Sequence, residues 1–259
     1  MQGKLIKRFN QQRFMFEELV KRDFKKKYKR TVLGMGWSIL SPLLHLLVMK
    51  VVFTQYFGRD MPHYTTYLFA GNIVFSYFRE TTTGSMTALT SNAKIFTKIN
   101  VPKYLFLFSK NVSSLINFAI TFMVFLLFTA LDGVPFTPKF ILLIYPIFCL
   151  ILFNLGIGLV LSALNVFFRD THYLYDIFVL LLMYMSAIFY RVDALSPTVQ
   201  RFFLLNPVYC VIQYVRLIVL EGAIPSPAYH LLLLGYAMAS LLIGGLIYKK
   251  KNHEFLYYV

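Results

Sequence analysis

Polar side chains lie on one helical face of the first long apolar stretch of the chain. Trp37, Ser41, His45 and Met49 share one face of a helix, and Lys50 lies beside that face. A lysine well inside a membrane span costs about 2.5 to 3.5 kcal/mol, so it normally faces protein or water. The face therefore predicts a polar lining for a hydrated or anionic substrate. In the alternative, His45 makes an interhelical hydrogen bond and Lys50 extends outward to the membrane surface.

Signatures of catalysis and of nucleotide binding are missing from the sequence. It contains no G-x-x-x-x-G-K-[ST], no H-E-x-x-H and no G-x-S-x-G. No apolar stretch carries paired carboxylates, which weakens a proton-driven transport mechanism. We therefore expect no catalytic residue and no metal site, and any energy for uphill transport would come from another subunit.

The elements that carry these side chains are membrane helices. Of the 259 residues, 58% are hydrophobic and only 14% are charged, whereas a soluble domain has about 25% charged residues. Windows of about 20 apolar residues predict membrane spans. The sequence therefore predicts an all-α polytopic membrane protein with six transmembrane helices, at about 32–57, 64–79, 111–131, 140–167, 174–190 and 228–248.

A different element is predicted between the fifth and sixth spans. Residues 196–222 contain two short apolar stretches that Asn206 and Pro207 separate. Each stretch is too short to cross a hydrocarbon core of about 30 Å at 1.5 Å per residue. We expect a re-entrant helical hairpin on the extracytoplasmic side, with Ser196 and Pro197 at its start and Gly222 near its end.

The distribution of positive charge predicts the topology. The chain has 26 Lys and Arg against 11 Asp and Glu, a net charge of +15. In a soluble protein this excess would suggest nucleic acid, but 19 of the 26 lie on one side of the predicted spans. By the positive-inside rule that side is cytoplasmic. Both termini are thus predicted to be cytoplasmic, 1–31 as an interface segment and 249–259 as a tail, with no nucleic-acid partner.

The N-terminal segment has the pattern of an amphipathic helix. Phe16, Leu19 and Phe24 fall on one arc of a helical wheel, and Lys21 and Lys25 fall on the opposite side. Such a helix lies in the membrane interface and is attracted to anionic lipid. Its polar face alternatively docks a soluble subunit and transmits force, and the wheel does not separate these two roles.

Small residues at four-residue spacing mark two of the predicted spans. Small side chains allow helix backbones to approach closely, so this pattern predicts helix packing rather than chemistry. The residues are Asn154, Gly156, Gly158 and Ser162 in the fourth span, and Gly235, Ala239, Ser240 and Gly244 in the sixth.

Four ordered blocks of the sequence resemble segments of one known family of membrane proteins. Residues 22–43, RDFKKKYKRTVLGMGWSILSPL, are similar to the start of the first span in that family. Residues 92–103 resemble the cytoplasmic loop between the second and third spans. Residues 167–171, FFRDT, resemble the turn before the fifth span, and residues 205–209 with 214–216 resemble the outer hairpin. Together the blocks cover nearly the whole chain, and the family they resemble is the permeases of type-2 ABC exporters, in the branch that exports O-antigen, capsular polysaccharide and teichoic acid.

The resemblance implies a homodimer in the cytoplasmic (inner) membrane. Each subunit would pair with a separate cytoplasmic ATPase, and that partner, not this chain, would bind ATP and Mg²⁺ and hydrolyse the nucleotide. The substrate would be a lipid-linked glycan that passes through the centre of the dimer. The chain itself would be a transport subunit surrounded by membrane lipid, not an enzyme.

The resemblance also implies roles for individual residues. Contacts with the ATPase would involve Phe16, Asp23, Phe24, Ile95, Lys98 and Val101. The translocation path would include Trp37, His45, Tyr184 and Lys50, although Lys50 stands where an apolar or small polar residue is expected. The outer gate would involve Asn206, Pro207 and Tyr209, and the cytoplasmic turn Arg169 and Asp170.

Two other functions remain compatible with parts of the pattern. A type-2 ABC permease for drugs or small lipids shares the topology but is not expected to combine the 22–43 block with the 167–171 turn. A membrane-embedded acyl- or glycosyltransferase would need an acid or histidine pair at a membrane face, and the sequence has no convincing one.

Overall fold

The structure, a computed structural model, describes residues 2–29, 31–57, 61–99, 101–193 and 195–258. Arg30 and Asn100, which belong to the resemblance blocks, lie outside these residues. The described residues form helices and no strands, which confirms the all-helical prediction. The α-helices are α1 Gln2–Tyr28, α2 Trp37–Phe57, α3 Tyr64–Met86, α4 Ala88–Ser91, α5 Ala93–Phe96, α6 Tyr104–Leu131, α7 Ile144–Phe167, α8 Thr171–Met185, α9 Pro197–Phe203, α10 Pro207–Val219, α11 Pro227–Lys251 and α12 Phe255–Tyr258.

Within the described residues, four helical stretches are long and apolar enough to cross a membrane. They are Gly34–Phe53, Tyr104–Leu131, Pro138–Phe167 and Pro227–Lys251, two of which begin with a 3₁₀ turn. Helices α9 and α10 meet at 106° and would add a fifth if they formed one broken span, while the apolar α8 is shorter. The chain is therefore a multi-pass membrane protein.

Helix α3 lies at the centre of the molecule, in contact with α2, α6, α7 and α10. Most of its side chains are buried. It continues to Met86, beyond the predicted end at residue 79, and its last turns bury hydroxyl side chains such as Thr81, Thr82 and Ser85. Thr82 Oγ1, for example, donates to the Phe78 carbonyl at 2.7 Å. This polar but buried last turn is not visible to a hydropathy window.

Helices α7 and α11 pack backbone against backbone. A Cβ added at Gly156 would overlap the backbone of Ser240, and one added at Gly244 would overlap the carbonyl of Gly156. Gly158 lies against α3, where a Cβ would be 2.7 Å from Ser85 Cβ. Gly235 differs, because no heavy atom of the described chain lies within 4 Å of its Cβ position. Of the two predicted pairs in α11, Ser240 and Gly244 thus make the contact with α7, and Gly235 does not.

Helix α8 ends at Met185, five residues before the predicted end of the fifth span. Residues 186–190 are not helical, and Ala187 has a positive φ of 48°. The hydropathy pattern extends to residue 190 because this segment is apolar and buried. Its backbone conformation depends instead on partners from α3 and α10, described below.

The ends of the molecule are distinguished by what contacts α3. Its first turns lie beside α10, and its last turns lie near α1. At the α1 end, Leu19, Phe96, Phe106 and Phe255 form a second apolar cluster. The tail joins this cluster, because Lys103 Nζ donates to the Asn252 carbonyl at 2.7 Å.

Candidate functional site

A polar groove lies between α2, α3 and α6 and has a volume of about 560 Å³. Trp37 and His45, two of the predicted path residues, line it from α2. Because they stand eight residues apart on one helix, they face the same side, as the sequence pattern predicts. Hydroxyl and amide side chains surround them, namely Ser38, Ser41, Asn72, Ser76, Ser114 and Thr121.

The groove contains charged side chains near α1. Lys27, near the end of α1, pairs with Glu80 of α3 at 2.8 Å. The same carboxylate accepts a hydrogen bond from Asn117 Nδ2 at 3.0 Å, which links α3 to α6. Arg79 also lines the groove, and its guanidinium has no hydrogen bond or ion pair with any described residue. The carboxylate of Glu80 is thus balanced locally, and the guanidinium of Arg79 leaves an excess positive charge.

The other two predicted path residues do not line this groove. Lys50 lies on the exposed surface of α2. Tyr184 lies near the end of α8 and is 57% exposed. Neither residue contributes to a polar lining within a single subunit.

At the opposite end of α3, side chains of α3 and α10 donate hydrogen bonds to the carbonyl groups of the non-helical segment 186–190. Arg216 of α10 donates to the carbonyl of Ala187 at 2.9 Å and to that of Ile188 at 3.0 Å. The Tyr64 hydroxyl donates to the next carbonyl, that of Phe189, at 2.8 Å. The Tyr67 hydroxyl donates to the last, that of Tyr190, at 2.6 Å. The four carbonyls of residues 187–190 thus have side-chain donors, which offsets the cost of unwinding the helix there.

Arg216 is a buried arginine without a carboxylate partner among the described residues. It is 2% exposed, and its guanidinium stacks on the Tyr67 ring at 3.4 Å from the centroid. Burial of a cation is costly unless hydrogen bonds replace its hydration, and here three backbone carbonyls do so. The sequence interpretation missed this role, although a signal existed: Arg216 is the one charged residue in the apolar stretch 208–220.

The three predicted gate residues lie at the start of α10. The Asn206 side-chain oxygen accepts from the backbone N–H groups of Val208 and Tyr209 at 3.0 and 3.2 Å, which caps the helix. Pro207 occupies the first helical position, where no backbone donor is needed. Asn206 Nδ2 donates to the Met185 carbonyl, so the cap also ties α10 to the end of α8. Tyr209 is buried.

A smaller pocket of about 130 Å³ opens beside this segment. His63, Arg191, Asp193 and Glu221 contribute to its lining. Arg191 Nη2 pairs with Asp193 at 2.8 Å, and this hydrogen bond raises the pKa of Arg191. Burial raises the pKa of Glu221, and the nearby Asp193 raises it further. The pocket therefore carries charges of both signs.

The predicted coupling residues differ in exposure. Asp23 is buried at 5%, pairs with Arg22 at 2.7 Å and with Lys110 at 3.4 Å, and accepts from Ser109. Its carboxylate therefore holds α1 against α6. Val101 is also buried, in the apolar cluster at the α1 end.

The remaining coupling residues are more accessible. Phe16 and Ile95 are half-buried and pack on the same apolar cluster. Phe24 is half-buried and Lys98 is exposed. The six residues thus belong to α1, to α5 and to the segment between α5 and α6, and of the six only Lys98 is exposed.

The turn between α7 and α8 contains the predicted pair Arg169 and Asp170, both exposed. Asp170 stands at the N-cap of α8, where its backbone carbonyl accepts from the Leu174 N–H at 3.2 Å. Over the described part of the chain, no group of three or more His, Cys, Asp and Glu residues is arranged to hold a metal ion.

Comparison with known proteins identifies a family and several relatives that the chain is similar to. The family profile described as ABC-2 type transporter matches residues 15–220. Over 256 residues the chain is 24% identical to the O-antigen export system permease protein RfbA of Myxococcus xanthus, with 97% of this chain and 98% of that protein covered.

Two further relatives have similar coverage. The chain is 26% identical over 248 residues to RfbA of Klebsiella pneumoniae, covering 93% of this chain and 95% of that protein. It is 23% identical over 251 residues to the polysialic acid transport protein KpsM of Escherichia coli, covering 96% and 97%. These relatives are transport proteins by name, and the family profile spans most of the chain. The chain belongs to the ABC-2 type transporter family.

Proposed function

We propose that this chain is the permease subunit of an ATP-driven exporter of a lipid-linked polysaccharide of the O-antigen, capsule or teichoic-acid type. The observation that carries the proposal is the near full-length similarity to O-antigen and polysialic acid transport proteins. Membership of the ABC-2 family implies an ATPase partner. The absence of a nucleotide-binding motif from the sequence is consistent with that division of labour.

The proposed topology has six spans in the inner membrane with both termini cytoplasmic. In it, α3 and α8 are spans in addition to the four long apolar stretches, and α9 with α10 is the outer re-entrant hairpin. Support comes from the 106° bend between α9 and α10. The charge distribution supports the orientation, because Lys249, Lys250 and Lys251 end α11 on the side of the basic α1.

The proposed assembly is a homodimer with two ATPase subunits. Helix α8 buries only Tyr175 and Val179 against its own subunit. It exposes large apolar side chains such as Ile177, Phe178 and Leu181. A second subunit or lipid must cover them, and a second subunit would bring Tyr184 next to a central path.

Coupling to the ATPase is proposed at the α1 end of the molecule. The apolar cluster at the α1 end joins α1, α5 and the tail to α6 and α7. A push on Lys98 or on the exposed face of α1 would therefore move a packed unit rather than a loose segment. The outer gate would respond at Asn206 and Tyr209 through α3 and α10, which pack against each other.

The test is substrate-stimulated ATP hydrolysis. The chain would be purified with its ATPase, reconstituted in nanodiscs, and assayed with lipid-linked polysaccharide and with small amphiphilic drugs. We expect stimulation by the glycan lipid and not by the drugs. Stimulation by the drugs alone would favour the small-molecule permease, and no stimulation by either would contradict export by this chain.

A further inference from the structure

The groove between α2, α3 and α6 has the chemistry of an anion site. Ser38 Oγ is buried in a residue that is 3% exposed, and it has no hydrogen-bond partner among the described residues. A buried hydroxyl without a partner is costly, and Ser38 lines the groove. A ligand with acceptor oxygens would satisfy it.

The charge in the groove favours an anion rather than a neutral ligand. Glu80 is bonded to both Lys27 and Asn117, at 2.8 and 3.0 Å. Arg79 lines the same groove and has no ion pair within the described chain. A guanidinium presents donors in a planar fork that matches phosphate oxygens. The unbalanced charge is therefore the kind that binds phosphate.

The walls of the groove suit a ligand that also has an apolar chain. Helix α2 forms one wall through Trp37, Ser41 and His45. Its exposed apolar side chains outside the groove are Leu44, Leu47, Val48 and Val51. Trp37 and Phe118 line the groove beside the hydroxyl groups. An ion without an apolar tail would use only the polar half of this surface.

We propose that the groove binds the phosphate of a membrane lipid. Arg79 and the hydroxyls of Ser38 and Ser41 would contact the phosphate oxygens, and the hydrocarbon chain would lie along α2. The site is formed within one subunit. The proposal rests on the proposed function for its membrane setting, and the lipid is either the polyprenyl phosphate of a glycan carrier or an anionic phospholipid of the bilayer.

Trp37 makes the test direct, because it is the one tryptophan in the chain and it lines the groove. The purified chain in nanodiscs would be titrated with phosphatidylglycerol or phosphatidylcholine that carries brominated acyl chains, which quench nearby tryptophan. We expect stronger quenching by the anionic lipid at equal mole fraction. Unlabelled undecaprenyl phosphate is then added as a competitor.

Each outcome has a fixed meaning. Reversal of quenching by undecaprenyl phosphate identifies the carrier as the ligand, and preferential quenching without reversal identifies the bilayer phospholipid. Equal quenching by both brominated lipids, with no effect of undecaprenyl phosphate, overturns the proposal. The assay needs neither ATPase nor transport. The lipid site can therefore be disproved while the export assignment holds, and the export assignment can be disproved while the lipid site holds.

A variant pair tests the named arginine. Arg79→Gln should weaken the preference for the anionic lipid about tenfold, as expected for loss of a charge-assisted hydrogen bond. Arg201→Gln is the matched control, because Arg201 is an exposed residue of α9 outside the groove. Equal affinity of both variants and the unmodified chain would remove Arg79 from the site. Ser38→Ala should weaken binding less, since it removes a neutral donor.

Discussion

The guanidinium of Arg216 lies over the ring of Tyr67, 3.4 Å from its centroid, and donates to the Tyr67 carbonyl at 3.2 Å. The same side chain bonds the carbonyls of Ala187 and Ile188. One buried arginine of α10 thus connects α3 to the unwound end of α8. This arrangement holds together the end of the subunit opposite α1, and no carboxylate of the described residues pairs with the arginine.

Arg216→Lys should destabilise the subunit although the charge is retained. Lysine lacks the planar fork and cannot reach the carbonyl of α3 and the two carbonyls of segment 186–190 at the same time. Carbonyls left buried without a donor cost about 1 to 3 kcal/mol each. Thermal unfolding in detergent would measure the loss, and limited proteolysis would reveal whether residues 186–190 become accessible.

The control for this change is Arg201→Lys, because Arg201 is exposed. This control variant should have the same thermal unfolding midpoint as the unmodified chain. Gly71→Ala offers a second route to the same contact. A Cβ at Gly71 would lie 2.8 Å from Arg216 Nη2, so the guanidinium would have to move. If the Arg216→Lys and Gly71→Ala variants both unfold at the same temperature as the unmodified chain, the contacts of Arg216 are not a major source of stability.

Gly244→Ala and Gly245→Ala should have opposite effects although they are adjacent. A Cβ at Gly244 would overlap the carbonyl of Gly156, whereas no atom of the described residues lies within 4 Å of the Cβ position at Gly245. Overpacking a tight contact costs about 1 to 3 kcal/mol. Replacing an open glycine in a helix gains up to about 1 kcal/mol. The unfolding midpoints of the two variants in the same detergent would show whether α7 and α11 meet as described.

Asp23→Asn should loosen α1 from α6. The carboxylate is buried, but its partners Arg22 and Lys110 are partly exposed, at 38% and 25% of their side chains. The expected loss therefore lies between the values for exposed and buried pairs, at about 1 to 3 kcal/mol. A cysteine pair placed on α1 and α6 should cross-link less efficiently in this variant.

Glu17→Gln is the control for the Asp23 experiment. Glu17 pairs with Arg13 on the exposed surface of the same helix at 2.9 Å, with 47% of its side chain accessible. Its loss should change stability by about 0.5 kcal/mol or less. ATP hydrolysis by the assembled transporter would be measured for both variants. Normal ATP hydrolysis in the Asp23→Asn variant would argue that the contact between Asp23 and α6 does not transmit force.

Asn206→Asp separates the two functions of this side chain. An aspartate keeps the oxygen that caps α10 through Val208 and Tyr209. It loses the Nδ2 donor to the Met185 carbonyl and to Ser186 Oγ, both at 3.1 Å. We expect α10 to persist while hydrogen exchange in residues 185–190 becomes faster.

Asn206→Ala removes the cap as well as the tether, at a further cost of about 1 kcal/mol. Hydrogen exchange should then increase in the first turn of α10 too. Equal exchange profiles for the two variants would show that the tether contributes nothing beyond the cap. Export assays on the Asp variant would test whether the link between α8 and α10 belongs to the outer gate.

Several features followed from the sequence alone because they depend on local pattern. Apolar stretches of helical length required an all-helical membrane protein. Asn206 and Pro207 defined a helix start, since capping chemistry is local. Trp37 and His45 were placed on one face by helical periodicity, and the structure finds both in one groove. The four ordered blocks were specific enough to identify the family.

Tertiary structure decided what depends on residues distant in the chain. The end of α8 at Met185 depends on donors from Tyr64, Tyr67 and Arg216. The two tyrosines lie 125 and 123 positions away from the carbonyls that they bond. Asp23 faces a lysine that lies 87 positions further along, which its own helix does not reveal. The groove needs side chains from three helices. Hydropathy records how apolar each segment is, but the partners of buried polar groups are set only when the helices pack.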